Sequence, residues 1–360
     1  MSFGHGHPKL LAALNEQAAR LAVTSRAFYT DQLGTFLKAV IETTGLTGYK
    51  VLPMNSGAEA VETAVKAARK WGHKVKGIAA GQAEIIVCDG NFAGRTTTIV
   101  SFSTEEQYRD GFGPFTPGFK QVPFGDATAL ENAINPNTAA FIVEPIQGEA
   151  GIIVPPAGYL ATCAEICKRH NVLLICDEVQ TGLGRTGRVL ASQHENVKPD
   201  AVVLGKALGG GLLPVSAFIA RADVMDVFTP GDHGSTFGGN PLACAVGRAA
   251  LEVLVDERLT ERAEILGKEM MRELSAVKSP LIKEVRGMGL LVGVEINPEF
   301  ASAREVCEVL LKHGVLSKDT HRTVVRFAPP LTITSAELQD AMGGVKSALS
   351  EIEARAMGGA

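Results

Sequence analysis

Short runs of β-branched and apolar residues recur between about residues 50 and 220: AEIIVCDG, AAFIVEPI, NVLLICDEV and DAVVLGK, with VSAFIA following closely on the last. Runs without polar alternation leave no face for water, and amphipathic segments separate most of them. This pattern requires a mainly parallel sheet covered by helices on both faces, an α/β architecture.

After Pro241 the pattern changes. Val246, Ala249, Ala250, Val253 and Leu254 recur at three- and four-residue spacing, which predicts a long helix bridging two units. A smaller α+β unit follows: a strand in GLLVGVEI, a helix in REVCEVLLKHG, a strand in TVVRFAPP, and a last helix opened by a Thr334/Glu337 capping box. A chain of 360 residues exceeds what one core normally serves. The expected division is a large cofactor-binding domain over 30–255 and a small domain built from 1–29 and 256–360.

The net charge of -4 offers no basic stripe for nucleic acid, and no apolar stretch is long enough for a membrane span. Small-molecule chemistry is the expectation. The six cysteines form no C-x-x-C pair, which predicts reduced structural thiols in an intracellular protein. His5 and His7 lack carboxylate or thiol companions, so no metal site is expected.

Asp177 and Lys206 each stand where an apolar strand ends. In open α/β sheets the crevice beyond the strands' carboxyl ends binds ligands, so the two side chains are expected to converge. A lysine amine beside a carboxylate suits pyridoxal phosphate, which needs one for its Schiff base and the other to keep its ring nitrogen protonated. In VLPMNSGAEAVETAVKAARKW a strand turns at Asn55-Ser56-Gly57 into a helix whose first amides are unpaired. Ser56, Gly57 and Ala58 thus form a candidate phosphate cradle. Ser235 and Thr236 in HGSTFGGNP form a second. Gly182-Leu-Gly184-Arg-Thr-Gly187 matches a dinucleotide fingerprint. Asp177 and Glu178 just before it would oppose a pyrophosphate, and no helix pattern begins there, so a nicotinamide site is not expected.

These residues resemble the class III, fold-type I aminotransferases, most closely the ornithine δ-aminotransferase branch. The resemblance rests on DEVQTG, GKALGGG and HGSTFGGNP, narrowed by DGFGPF, TSRAFY and LPVSA. It implies a large domain with a mainly parallel seven-stranded sheet, a smaller α+β domain, and pyridoxal 5'-phosphate as cofactor. It further implies that Lys206 forms the aldimine, Asp177 pairs with the pyridine nitrogen, Phe92 and Val179 flank the ring, and Gln180 reaches its hydroxyl. Ser56, Gly57 and Ala58 would hold the phosphate, joined by Ser235 and by Thr236 from a second subunit.

For substrates, the resemblance implies L-ornithine as donor and 2-oxoglutarate, becoming glutamate, as acceptor. Arg95 would take a remote carboxylate, Arg326 the α-carboxylate of glutamate, and Glu149 would neutralise Arg326 when ornithine enters. A cytoplasmic homodimer with shared sites is implied, with the mitochondrial matrix as the setting if a leader is missing. The nearest alternatives are acetylornithine and 4-aminobutyrate aminotransferases and, from another class, an inactive binding protein on the same fold. Relatives of this kind carry a leading segment, with tyrosines that contact ornithine, before the stretch matching FGHGHPKL. The N-terminal segment here is expected to be short, as in a fragment, an incomplete gene model, or a variant with a more open site.

Overall fold

The computed structural model describes residues 1–358. A seven-stranded sheet contains β1 (Tyr49–Met54), β2 (Glu84–Cys88), β3 (Phe119–Val122), β4 (Thr138–Val143), β5 (Leu173–Asp177), β6 (Ala201–Leu204) and β7 (Ser216–Arg221). Their order is β1-β7-β6-β5-β4-β2-β3. Neighbours from β3 through β6 are parallel, while β7 pairs antiparallel with both β1 and β6. The link between β6 and β7 holds only a short 3-10 turn, Lys206–Gly209, and lacks the helix that a parallel return normally uses. All of β4 is buried, with Phe141 at its centre inaccessible to solvent. Full burial of such a side chain contributes about 1.5–3 kcal/mol.

The helices are α1 (Pro8–Arg20), α2 (Asp31–Thr44), α3 (Gly57–Trp71), α4 (Thr97–Val100), α5 (Ala127–Ala133), α6 (Tyr159–Arg169), α7 (Ala222–Met225), α8 (Pro241–Asp256), α9 (Leu259–Ala276), α10 (Ala303–Lys312) and α11 (Ser335–Gly358). A second, antiparallel sheet contains β8 (Ile282–Met288), β9 (Leu291–Ile296), β10 (Lys318–Thr320) and β11 (Val324–Phe327), in the order β10-β11-β9-β8.

Helix α8 starts with Pro241 in its first turn, where a missing N–H costs nothing, and the Asn240 side chain accepts from Ala243 N. Its five predicted apolar positions are all buried. One apolar cluster runs from Val202 and Leu204 in β6, through Leu254 of α8 and Leu266 of α9, to Val292 of β9 and Leu310 of α10. Helix α8 therefore does link the two sheets.

The predicted capping box at α11 is present: Thr334 N donates to Glu337 Oε2 at 2.8 Å, and Glu337 N donates to Thr334 Oγ1 at 3.1 Å. Strands β3, β8 and β10 were not predicted. In β8 the sequence IKEVRGM neither alternates nor forms an apolar run, and pairing with β9 specifies it. The six cysteines are free and buried. Among the described residues, no helix is long and apolar enough to cross a membrane, and no cluster of ligands could hold a metal. His7 Nε2 lies 3.1 Å from Glu257 Oε1.

Candidate active site

Because β1, β2, β4, β5 and β6 point the same way, the residues following them meet at one edge of the sheet. There a cavity of about 160 Å3 is lined by Gly57, Ala58, Phe92, Glu144, Asp177, Val179, Gln180 and Lys206. Seven of the predicted cofactor contacts thus share one space. Lys206 opens the turn after β6 with φ of +41°, in the left-handed region. That conformation costs a non-glycine residue of order 1–3 kcal/mol and persists where surrounding structure imposes it.

Lys206 lines the cavity, and the residue as a whole is exposed. The enclosing walls nevertheless displace enough bulk water to lower its pKa, an effect opposed by Glu149, Asp177 and Glu144. Burial pushes Asp177 up to about 6, although Val179 N donates to its Oδ1 at 3.0 Å and Lys206 also favours the anion. Burial, and then the Asp177 charge, push Glu144 up to about 8. Burial thus disfavours the charged form of both carboxylates, more strongly at Glu144 than at Asp177.

Glu144 was missed from the sequence. It follows β4 and accepts Phe92 N–H at 2.9 Å, holding Phe92 against the cavity. The first glutamate of VEPIQGEAG, read alone, carries no signal for that role.

Close packing of the site depends on two glycines. A Cβ on Gly57 would lie 3.0 Å from Val179 Cγ1, and one on Gly148 would lie 1.3 Å from Gln180 Oε1. The second distance forbids any side chain while Gln180 keeps its place. Gln180 donates from Nε2 to Glu149 Oε1 at 2.9 Å, whereas its buried Oε1 has no hydrogen-bond partner.

At the phosphate cradle, Ser56 caps α3 reciprocally with Glu59: Glu59 N donates to Ser56 Oγ at 3.2 Å, and Ser56 N donates to Glu59 Oε2 at 2.6 Å. The ordinary helix-capping role of Ser56 is therefore present. The first-turn amides of Gly57 and Ala58 remain beside the cavity, where the helix dipole favours an anion. Ser235 Oγ accepts from Asn55 Nδ2 at 2.9 Å, so the second glycine-rich segment adjoins this turn. Thr236 is exposed and lines no part of this cavity.

A neighbouring cavity of about 380 Å3 shares Val179, Gln180 and Lys206, and adds Glu149, Arg185 and Arg326. Arg326, brought in by β11 of the small sheet, donates from Nη1 to Glu149 Oε1 at 2.7 Å. Burial alone would raise the Glu149 pKa, but Arg326 and the Gln180 hydrogen bond outweigh it and hold it low. Arg95 stands on the other side of Glu149 in an outer cavity, its guanidinium 4.4 Å from the Tyr108 ring centroid. The predicted substrate arginines thus flank Glu149, one exposed and one paired.

An amine, a buried carboxylate and a helix N-terminus beside a pocket of paired charges suit a cofactor-dependent enzyme of the aminotransferase kind. The chain belongs to the class-III aminotransferases, whose family model matches residues 1–349. It is 57% identical over 347 residues to an ornithine aminotransferase of an Exiguobacterium species, covering 96% of this chain and 85% of that relative.

Among solved structures it resembles an ornithine aminotransferase from Toxoplasma gondii, described with partial occupancy of PLP at its active site. The TM-score is 0.95 at 50% identity, covering 98% of this chain and 84% of that one. An acetylornithine aminotransferase from Elizabethkingia anophelis, also 50% identical, gives 0.86 over 97% of this chain and 86% of that one.

Proposed function

We propose that this enzyme moves the δ-amino group of L-ornithine to 2-oxoglutarate, giving glutamate-5-semialdehyde and glutamate, by ping-pong kinetics with pyridoxal 5'-phosphate. The observation carrying this reading is the placement of Lys206 between the Asp177 cavity and the Glu149–Arg326 pair. When bound, the cofactor supplies an electron-withdrawing ring that stabilises negative charge at the substrate carbon.

Lys206 Nζ anchors the cofactor and, once the substrate amine replaces it, takes and returns the proton at the substrate carbon. Its lowered pKa increases the neutral fraction that can act as a base. Asp177 supplies the anion that keeps the ring nitrogen protonated, with Phe92 and Val179 on the two faces. The unpartnered Gln180 Oε1 fits a polar ring substituent. Ser56, Gly57 and Ala58 take the phosphate, joined by Ser235 and by Thr236 of the partner subunit.

This requires a homodimer with shared sites. The exposed Phe28, Tyr29, Phe112 and Phe237 support one, because large apolar side chains left in water mark interaction surfaces. We assign residues 30–255 to the large cofactor-binding domain, residues 1–29 and 256–360 to the small one, and the enzyme to the cytoplasm.

The discriminating test is a donor panel on the purified holoenzyme. Ornithine is expected to exceed N-acetylornithine and 4-aminobutyrate by at least about tenfold in kcat/KM, since each alternative misplaces or lacks a group the site pairs. Preference for N-acetylornithine would overturn the donor assignment. A bound cofactor with no amine turned over would mean a binding protein.

In the pocket, Arg95 takes the remote carboxylate, while Arg326 takes the α-carboxylate of glutamate after Glu149 releases it. Ornithine enters with the Glu149–Arg326 pair closed. Glu149→Ala leaves Arg326 uncovered, which should impair the ornithine half-reaction and favour the glutamate one. The pair is partly solvent-accessible, at 20% and 32% of the two side chains, so a ratio change of about tenfold, or about 1.4 kcal/mol, is expected rather than the full effect of a buried pair. Stopped-flow absorbance of each half-reaction measures it. An unchanged ratio would make Glu149 structural.

A further inference from the structure

The Gly182–Gly187 segment carries an arginine that is one of the most deeply buried charges among the described residues. Arg185 is 6% exposed and lines the inner substrate cavity with Lys206, Glu149 and Arg326. Its Nη1 donates to Leu290 O at 3.0 Å and Pro329 O at 2.6 Å, and its Nη2 donates to Ser2 Oγ at 3.2 Å. These acceptors solvate the guanidinium but carry no compensating charge.

Among the described residues no carboxylate pairs with Arg185, whereas Arg326 has Glu149. An unpaired buried cation is costly, so an anionic group entering the cavity would be favoured beside it. We infer that Arg185 is a specificity-determining residue, a fixed cation that acts beside Arg326 on the α-carboxylate of the 2-oxo dicarboxylate substrate in the inner cavity. This deepens the functional reading above and rests on it.

The two arginines divide the work by mobility. Arg185 is clamped to main-chain carbonyls before β9 and after β11, so its charge stays in place while Glu149 alternately covers and frees Arg326. Arg185 is pushed down to about 10 by burial and then by the nearby charge of Arg326. An incoming carboxylate would offset that cost at Arg185, which ornithine's hydrocarbon chain cannot do.

Glutarate has two carboxylates and no reactive carbonyl, so its calorimetric titration into the holoenzyme reads binding without turnover. Arg185→Met should weaken glutarate at least about tenfold and raise the KM for 2-oxoglutarate to match, with a clearly smaller loss in the ornithine half-reaction. Arg185→Lys keeps the charge but not the fork, and should recover most of the glutarate affinity.

Unchanged glutarate binding in Arg185→Met would overturn the inference. So would equal damage to glutarate and ornithine in both variants, because a purely structural clamp behaves that way. If Arg185→Met does not fold, the Arg185 Nε–H resonance of the wild-type protein decides: it should shift as glutarate saturates, and a stationary resonance rejects the role. Failure of wild type to use ornithine would reject the donor assignment while leaving the glutarate comparison intact.

Discussion

Lys206→Ala is expected to fold normally and to lose turnover almost completely. Lys206 lines the cavity, and its backbone strain at φ of +41° is shared by alanine, so little stability depends on the amine. Function depends on it twice. Positioned proton transfer is worth about 10^2–10^4 in rate, and loss of the covalent anchor adds to that, so kcat should fall by at least about 10^4. The measurement pairs steady-state rates with melting temperature.

In wild type, borohydride reduction followed by peptide mapping should place the cofactor on the peptide containing Lys206. A label on any other lysine, or an alanine variant with more than a hundredth of normal turnover, would remove Lys206 from its assigned place.

Asp177→Asn should keep the cofactor and lose about a thousandfold in kcat. Asp177 is 5% exposed and opposes Lys206 in the cavity. Opposite charges about 4 Å apart at an effective dielectric of about 20 interact by about 4 kcal/mol, and losing that at the transition state is worth roughly 10^3 in rate. In the free site burial raises Asp177 to about 6, and a cationic ring beside it would lower it again and favour the anion.

Asparagine preserves size and can still accept from Val179 N, so packing should survive and the deficit should be chemical. The rate and the cofactor's absorption spectrum are to be compared at pH 7 and 8. Near-normal turnover would mean that the carboxylate does not hold the ring nitrogen's proton.

Much of this site was readable before any coordinates because its residues occupy grammatical positions in the chain. Asp177 and Lys206 close strands β5 and β6, and Ser56 stands between a strand and a helix. Arg95, Glu149 and Arg326 came only through resemblance, since isolated arginines and glutamates usually form surface pairs.

Glu144 and Arg185 were not singled out at all. The role of Glu144 exists only when β4 lies beside the segment after β2, and that of Arg185 only when the small sheet closes over its loop.

The sequence by itself determined the alternating α/β architecture, the long α8 and the strand-end positions of the lysine and aspartate. These follow from local hydrophobic period, caps and turns, which operate over a few residues. Only the tertiary structure decided the antiparallel β7, the polar strand β8, the Gly148–Gln180 approach and the arrangement of charges around Lys206. Strand pairing, close approach and desolvation are properties of residues far apart in the chain, and no local pattern encodes the distance between Arg185, Arg326 and Glu149 until the two sheets share a core.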